Sequence, residues 1–246
     1  MGAVPKKAFV LAAGRGERMR PLTDNCPKPL LSVGGRTMLD RSLDALADAG
    51  VEDVVVNSFY LAQMIEEHLK GRNNPRITLS RETELLDTGG GVKKMIWFFG
   101  AAPFYVLNAD VVWTDGAVPA LKCLADKWDE AKMDLLLLLQ ATGKIPASAG
   151  RGDYYLAEGS DQPVFAKGSD KTANYIFTGP RIVHPRLFEG APEGEFSFLE
   201  LFHKAEKKGR LYGVRHSGEW YHVGTPEALA DANRILAGRQ EKKAVS

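Results

Sequence analysis

The sequence predicts an α/β fold, with a mostly parallel central sheet flanked by helices and a small antiparallel subregion in its second half. Strand and helix patterns alternate from Lys7 to Gln140, the first strand pattern runs straight into glycines, and after Gln140 the alternation gives way to short strand-like segments. Parallel neighbours need long crossover connections, so strands separated by helices indicate a sheet covered on both faces.

Residues 7–13 read as a short buried strand that ends in glycine. Residues 38–49 carry Leu39, Leu43 and Leu46 at helical spacing before Gly50 stops the pattern. A strand over 54–57, a helix over 61–69, a strand over 77–80, a helix over 91–98 and a strand over 104–108 follow, the last leading to Asp110. Residues 117–128 look helical, and 134–140 is the most apolar strand, expected at the centre of the sheet. Segments 154–157, 164–167 and 175–178 resemble antiparallel strands, followed by helices over 198–207 and 226–237. The whole chain reads as one domain, 1–246, with an alternating strand–helix half over about 1–140, a mixed half over about 141–238 and a tail over 239–246.

With 44% apolar residues a chain of 246 can bury a sizeable core. Its 32 basic and 31 acidic side chains give a net charge of +1 without long single-sign runs, which argues against nucleic acid and against a membrane surface as partners. Cys26 and Cys123 have no metal-site spacing and fit free thiols in a reducing compartment. The first apolar stretch is too short for a signal peptide, and the leucine run 135–139 is far below the ~20 residues that span a bilayer. A cytoplasmic protein, monomeric or a small homo-oligomer, is expected.

The segment Gly14-Arg15-Gly16-Glu17-Arg18-Met19 begins like a dinucleotide fingerprint, but Met19 stands where the third glycine belongs, and there is no Walker lysine. Its glycines would let backbone N–H groups approach phosphate oxygens while Arg15 and Arg18 add charge; a tight turn with solvated arginines is the plain alternative. Pro21, Pro27 and Pro29 stiffen the chain around Lys28 and carry its ammonium back toward the same edge, where lysine suits a point contact with phosphate.

LAAGRGERMRPLT at 11–23 followed by PKPLL at 27–31 resembles the signature of the sugar-1-phosphate nucleotidyltransferases. The similarity continues through LLDTGGG, LNAD, GRGDY, YIFTG and WYHVGTPEAL, which together sample nearly the whole chain. The resemblance implies a Rossmann-like nucleotidyltransferase fold, Mg2+, a nucleoside triphosphate and a sugar 1-phosphate as substrates, and release of pyrophosphate. It implies that Ala12, Ala13, Gly14, Arg15 and Gly16 wrap the phosphates, that Arg18 steadies the leaving pyrophosphate, and that Lys28 bridges the α-phosphate and the sugar phosphate.

Asp110 follows the apolar strand FYVLN, where a carboxylate is poor packing but well placed for Mg2+; a lone Asp there can also be a turn or cap residue. It matches the family's metal-binding aspartate, with Ala109 replacing a glycine. Where the family's WxDVGT motif has a second metal carboxylate, this chain has His222. Imidazole is a poor ligand for a hard cation. Three readings stay open: Asp110 binds Mg2+ with waters and phosphates, His222 contacts metal or phosphate, or catalysis is lost.

By the same resemblance Glu82 touches the base. A carboxylate only accepts, so it suits uracil, guanine or thymine, and the resemblance favours UTP, with a mannose 1-phosphate guanylyl-transferring enzyme as the nearest rival. Thr88, Gly89 and Gly90 would approach the base through their backbone, or simply form a helix entry needing small residues. Trp113, Asp153, Thr178 and Gly179 are candidates for the sugar, and an aromatic such as Trp113 could equally be core. The E-K-P element of several relatives is absent from 165–168, and His68, His184, His203 and His216 show no metal spacing. A non-catalytic nucleotide-sugar-binding protein and a dehydrogenase are the readings from other classes.

Overall fold

A computed structural model describes residues 4–145, 152–165 and 173–244. One continuous sheet carries the chain. Reading across it, β5 (Arg76–Arg81), β4 (Asp53–Ser58), β1 (Lys7–Leu11) and β6 (Phe104–Asn108) run parallel, and β11 (Tyr175–Val183) then pairs antiparallel to β6. β8 (Leu135–Ala141) lies antiparallel to β11, and β12 (Leu211–Arg215) is parallel to β8 at the far edge. The short pair β9 (Tyr154–Tyr155) and β10 (Val164–Phe165) joins β11 at Tyr175, forming the expected antiparallel subregion.

β8 is not the centre of the sheet but one strand from its edge. Its apolar run has another cause: Leu136 and Leu138 enter the core on one face, Leu135, Leu137 and Leu139 the core on the other. A strand covered on both faces is apolar throughout wherever it sits. Likewise β11 runs on to Val183 rather than stopping at Thr178, because it bulges between Phe177 and Arg181 at Gly179, whose φ is +106°.

The faces are covered by α1 (Met38–Asp48), α2 (Ala62–Leu69) and α4 (Ala120–Lys127) on one side, and by α3 (Asp87–Lys94) and α5 (Phe198–Lys207) on the other. Thr37 caps α1 by accepting from the Asp40 N–H at 3.0 Å, a contact of about 1 kcal/mol. Leu39, Leu43 and Leu46 are fully buried, each worth about 1.5–3 kcal/mol. α4 starts later than residue 117, since Pro119 holds the chain extended and Asp115 accepts from the Ala120 N–H.

The helix expected over 91–98 is instead α3, displaced toward the N-terminus, followed by a tight turn over Ile96–Phe99. Its glycines are packing residues: a Cβ on Gly90 would lie 2.0 Å from the Gly194 carbonyl oxygen. Elements that sequence periodicity was too short to reveal are the hairpin β2 (Ser32–Val33) with β3 (Arg36–Thr37), and the two-stranded sheet of β7 (Val111–Thr114) with β13 (Glu219–His222). The terminal α6 (Pro226–Ala244) extends past residue 237 and includes much of the expected tail. The strand expected over 164–167 is described only as far as Phe165; residues 166–168 of the region compared with E-K-P, and Gly150 and Arg151 of GRGDY, lie outside the described residues. No helix among the described residues is long and apolar enough to cross a membrane.

Candidate active site

The carboxyl ends of β1, β4 and β6 open onto a cleft of about 580 Å³ lined by Leu11 to Met19, Lys28, Pro29, Asn57, Leu85, Asp87, Thr88, Asn108, Asp110 and Gly224. This is the edge of an α/β sheet where ligands bind. Ala12, Ala13, Gly14, Arg15, Gly16, Arg18, Thr88, Lys28 and Asp110, expected from sequence, all reach it.

The glycine-bearing segment after β1 owes its shape to two residues. Gly16 is left-handed, with φ +66°, and its carbonyl accepts from the Thr23 hydroxyl at 2.9 Å. A Cβ there would stand 3.0 Å from the Cβ of Lys28 and 3.1 Å from Thr23 Cγ2, so the missing side chain is what lets the lysine segment close on the loop. Met19 is fully buried with Val33, Met38 and Val223. The position that a dinucleotide-binding loop gives to glycine is thus a core anchor here.

Lys28 is buried and donates from Nζ to Asp110 Oδ2 at 2.7 Å; the aspartate is 39% exposed at the cleft. Ala109 fits without the family's glycine because it is fully buried in the core and donates its N–H to the Leu11 carbonyl. β13 pairs with β7 so that His222 stands opposite Val111, next to Asp110. Loss of water around the imidazole lowers its pKa, Lys28 and Arg18 lower it further, and Asp110 opposes them. His222 is therefore neutral near pH 7 and lies in the field of all three expected catalytic residues. Its Nε2 would be 2.4 Å from a Cβ on Gly224, so the ring folds over that cleft-lining glycine. Among the described residues no group of three or more His, Cys, Asp or Glu side chains could hold a metal.

Glu82 is placed behind the cleft rather than on it. It is buried, accepting from Asn57 Nδ2 at 2.7 Å and from the Leu86 N–H at 3.1 Å. Burial raises its pKa, and those two hydrogen bonds work against the rise. Asn57, which sequence reasoning passed over, lines the cleft and also accepts from the Ala12 N–H at 2.7 Å, so Glu82 acts on the loop through it. Gly89 and Gly90 donate their N–H groups to the Phe196 carbonyl and do not line the cleft.

The sugar candidates scatter. Trp113 lines a second cavity of about 460 Å³ with Arg36, Arg41 and Asp115. Asp153 accepts from the Phe177 N–H at 2.9 Å, and burial raises its carboxyl pKa against that bond. Thr178 is buried and donates to the Leu138 carbonyl. Gly179 packs beside Val111, next to Asp110; a Cβ would be 3.0 Å from Val111 Cγ2.

The chain is similar to known proteins along its length. A family profile described as nucleotidyl transferase matches residues 7–148. The N-acetylmuramate alpha-1-phosphate uridylyltransferase of Caulobacter vibrioides is 39% identical over 96% of this chain and 99% of its own length. The protein of the same name from Neisseria meningitidis is 33% identical over 94% and 98%. In three dimensions a UDP-glucose pyrophosphorylase from Acinetobacter baumanii superposes with a TM-score of 0.80 at 16% identity, covering 98% of this chain and 99% of that one, which shows a shared fold. With the loop, Lys28 and Asp110 gathered at one sheet edge, the chain belongs to the nucleotidyl transferase family.

Proposed function

We propose that this protein transfers the uridylyl group of UTP to N-acetylmuramate 1-phosphate, a cell-wall sugar phosphate, and releases pyrophosphate. The choice of nucleotide and acceptor comes from two relatives named as N-acetylmuramate alpha-1-phosphate uridylyltransferases, 39% and 33% identical to this chain. The observation that carries the reaction type is the Lys28–Asp110 pair at the cleft, 2.7 Å apart, facing a loop that bears Arg15 and Arg18.

A phosphate oxygen of the sugar attacks the α-phosphorus of UTP, the new P–O bond forms, and the bond to the bridging oxygen breaks, with its electron pair leaving on pyrophosphate. In-line displacement needs no protein nucleophile; it needs alignment and cations. Arg15 and Arg18 project from the loop that would hold the triphosphate, and Lys28, restrained between prolines, supplies a point charge between the two reacting phosphates. Asp110 fits as a ligand for Mg2+, which uses one or two carboxylates and completes its shell from phosphate oxygens and water. What Mg2+ supplies when bound is charge neutralisation on the phosphoryl oxygens. His222, neutral beside Asp110, lacks an oxygen ligand's affinity for Mg2+ and suits a hydrogen bond to a substrate phosphate.

Pyrophosphate release across a panel of nucleoside triphosphates and sugar 1-phosphates tests this reading. UTP with N-acetylmuramate 1-phosphate should be fastest. GTP outperforming UTP with every acceptor would remove the uridylyl assignment in favour of a guanylyl transferase, and nucleotide binding without turnover in Mg2+ would leave only a binding protein.

A further inference from the structure

Two lysine or arginine side chains are buried among the described residues, Lys28 and Arg181. Lys28 has Asp110. Arg181 is 1% exposed, and among the described residues no carboxylate pairs with it: Nη1 donates to Asn108 Oδ1 at 2.9 Å and to the Gly179 carbonyl at 2.8 Å, while Nε is enclosed without a partner. The guanidinium lies over Phe198, 4.3 Å from the ring centre, with Phe177 at 5.5 Å and Phe202 at 5.8 Å. On the neighbouring β9 the Tyr154 hydroxyl is also buried without a partner.

Packing alone does not call for this residue. Burying an ion without a counter-ion costs several kcal/mol, and stacking on the phenylalanines returns about 2 kcal/mol. A methionine or leucine would fill the same aromatic cage without that cost. Burial holds the Arg181 pKa down at about 9, still charged at neutral pH. A buried cation with an idle N–H and no counter-ion among the described residues points to an anion brought by a ligand.

The position says which anion. Asn108, whose side chain Arg181 holds, lines the cleft two residues before Asp110, and Gly179 is the bulge that packs beside Val111. Phosphates of nucleotide and acceptor already have the loop, Arg15, Arg18 and Lys28. We infer that Arg181 recognises a carboxylate carried by the acceptor sugar, reached when the Asn108 carboxamide turns away from Nη1, so that the guanidinium offers a fork of N–H groups to two carboxylate oxygens. This rests on the reading that the acceptor is a sugar 1-phosphate. It agrees with the named acceptor of the Caulobacter and Neisseria relatives, which is a sugar acid.

The test is calorimetric titration of the whole protein with N-acetylmuramate 1-phosphate and with N-acetylglucosamine 1-phosphate, which lacks the carboxylate, for wild type, Arg181→Met and Arg181→Lys. Wild type should bind the acid sugar at least about tenfold tighter, the ratio one charged hydrogen bond supplies. Arg181→Met should bring the ratio close to one with affinity for the neutral sugar retained, and Arg181→Lys should keep part of it. A wild-type ratio near one overturns the inference, as does equal weakening of both sugars by Arg181→Met or an unchanged ratio in both variants. If Arg181→Met does not fold, the wild-type ratio and its reduction in Arg181→Lys decide. Discriminating binding without pyrophosphate release from UTP would reject the uridylyl reaction and leave the carboxylate site standing.

Discussion

Lys28 Nζ and Asp110 Oδ2 meet at 2.7 Å although 82 residues separate them in the chain. The contact joins the stiffened segment after the loop to the end of β6 and places one cation and one carboxylate together at the cleft, where the proposed reaction brings two phosphates together. Replacing Lys28 with alanine should lower turnover by about 10²-fold or more, the range for a lost transition-state donor. Steady-state kinetics should show the loss chiefly against the sugar phosphate, with nucleotide affinity by calorimetry little changed. Unchanged acceptor kinetics would place the lysine outside the reaction.

Gly16→Ala should strain the loop twice, by a left-handed φ and by contact with Lys28 and Thr23. The expected cost is about 1 kcal/mol, which for a chain of this size is a fall in Tm of roughly 2–4 °C. Turnover should fall more than stability does, since the displaced neighbour is Lys28. A variant with reduced Tm and full activity would show that the loop does not depend on this fit.

Gly90→Ala separates packing from base recognition. The new methyl would stand 2.0 Å from the Gly194 carbonyl, on backbone that cannot swing aside, so destabilisation of about 1–3 kcal/mol is expected. Thermal melts should show it in the free protein. A stable variant with impaired UTP binding would instead return Gly90 to the nucleotide site.

Acid should weaken the fold in a defined window. Burial lowers the pKa of His216, and of His184, below the ordinary 6.5, with Arg186 adding to the effect at His184. The unfolded chain then binds protons that the folded chain refuses, so their contribution is full above about 6.5 and is lost as pH falls through the folded-state values. Melts from pH 7.5 to 5 should show Tm falling with pH, and a His216→Gln variant should fall less steeply. A slope unaltered by that substitution would assign the acid sensitivity to other groups.

Much of this was legible in sequence because local rules and tertiary structure agree. The parallel half followed from periodicity, and the cleft residues from Ala12 to Lys28 came from one contiguous signature. What sequence could not give is long-range. Glu82 matches a base-contact position by spacing, yet only the fold shows Asn57 standing between it and the cleft. The glycines of DTGGG look alike whether they serve a ligand or a close packing, and only the fold shows how near Gly194 comes to Gly90. Arg181 carried no signal, since an arginine after a strand is ordinarily solvated; its interest lies in its burial and in an Nε that finds no partner among the described residues.

The most direct measurement is phosphorus NMR of the products formed from UTP, N-acetylmuramate 1-phosphate and Mg2+ by wild type and by Asp110→Asn. Wild type should give a UDP-sugar and pyrophosphate in equal amounts, and a folded Asp110→Asn should give neither on the same time scale. Orthophosphate in place of pyrophosphate, or wild-type product levels from Asp110→Asn, would contradict uridylyl transfer at a centre built on Lys28 and Asp110.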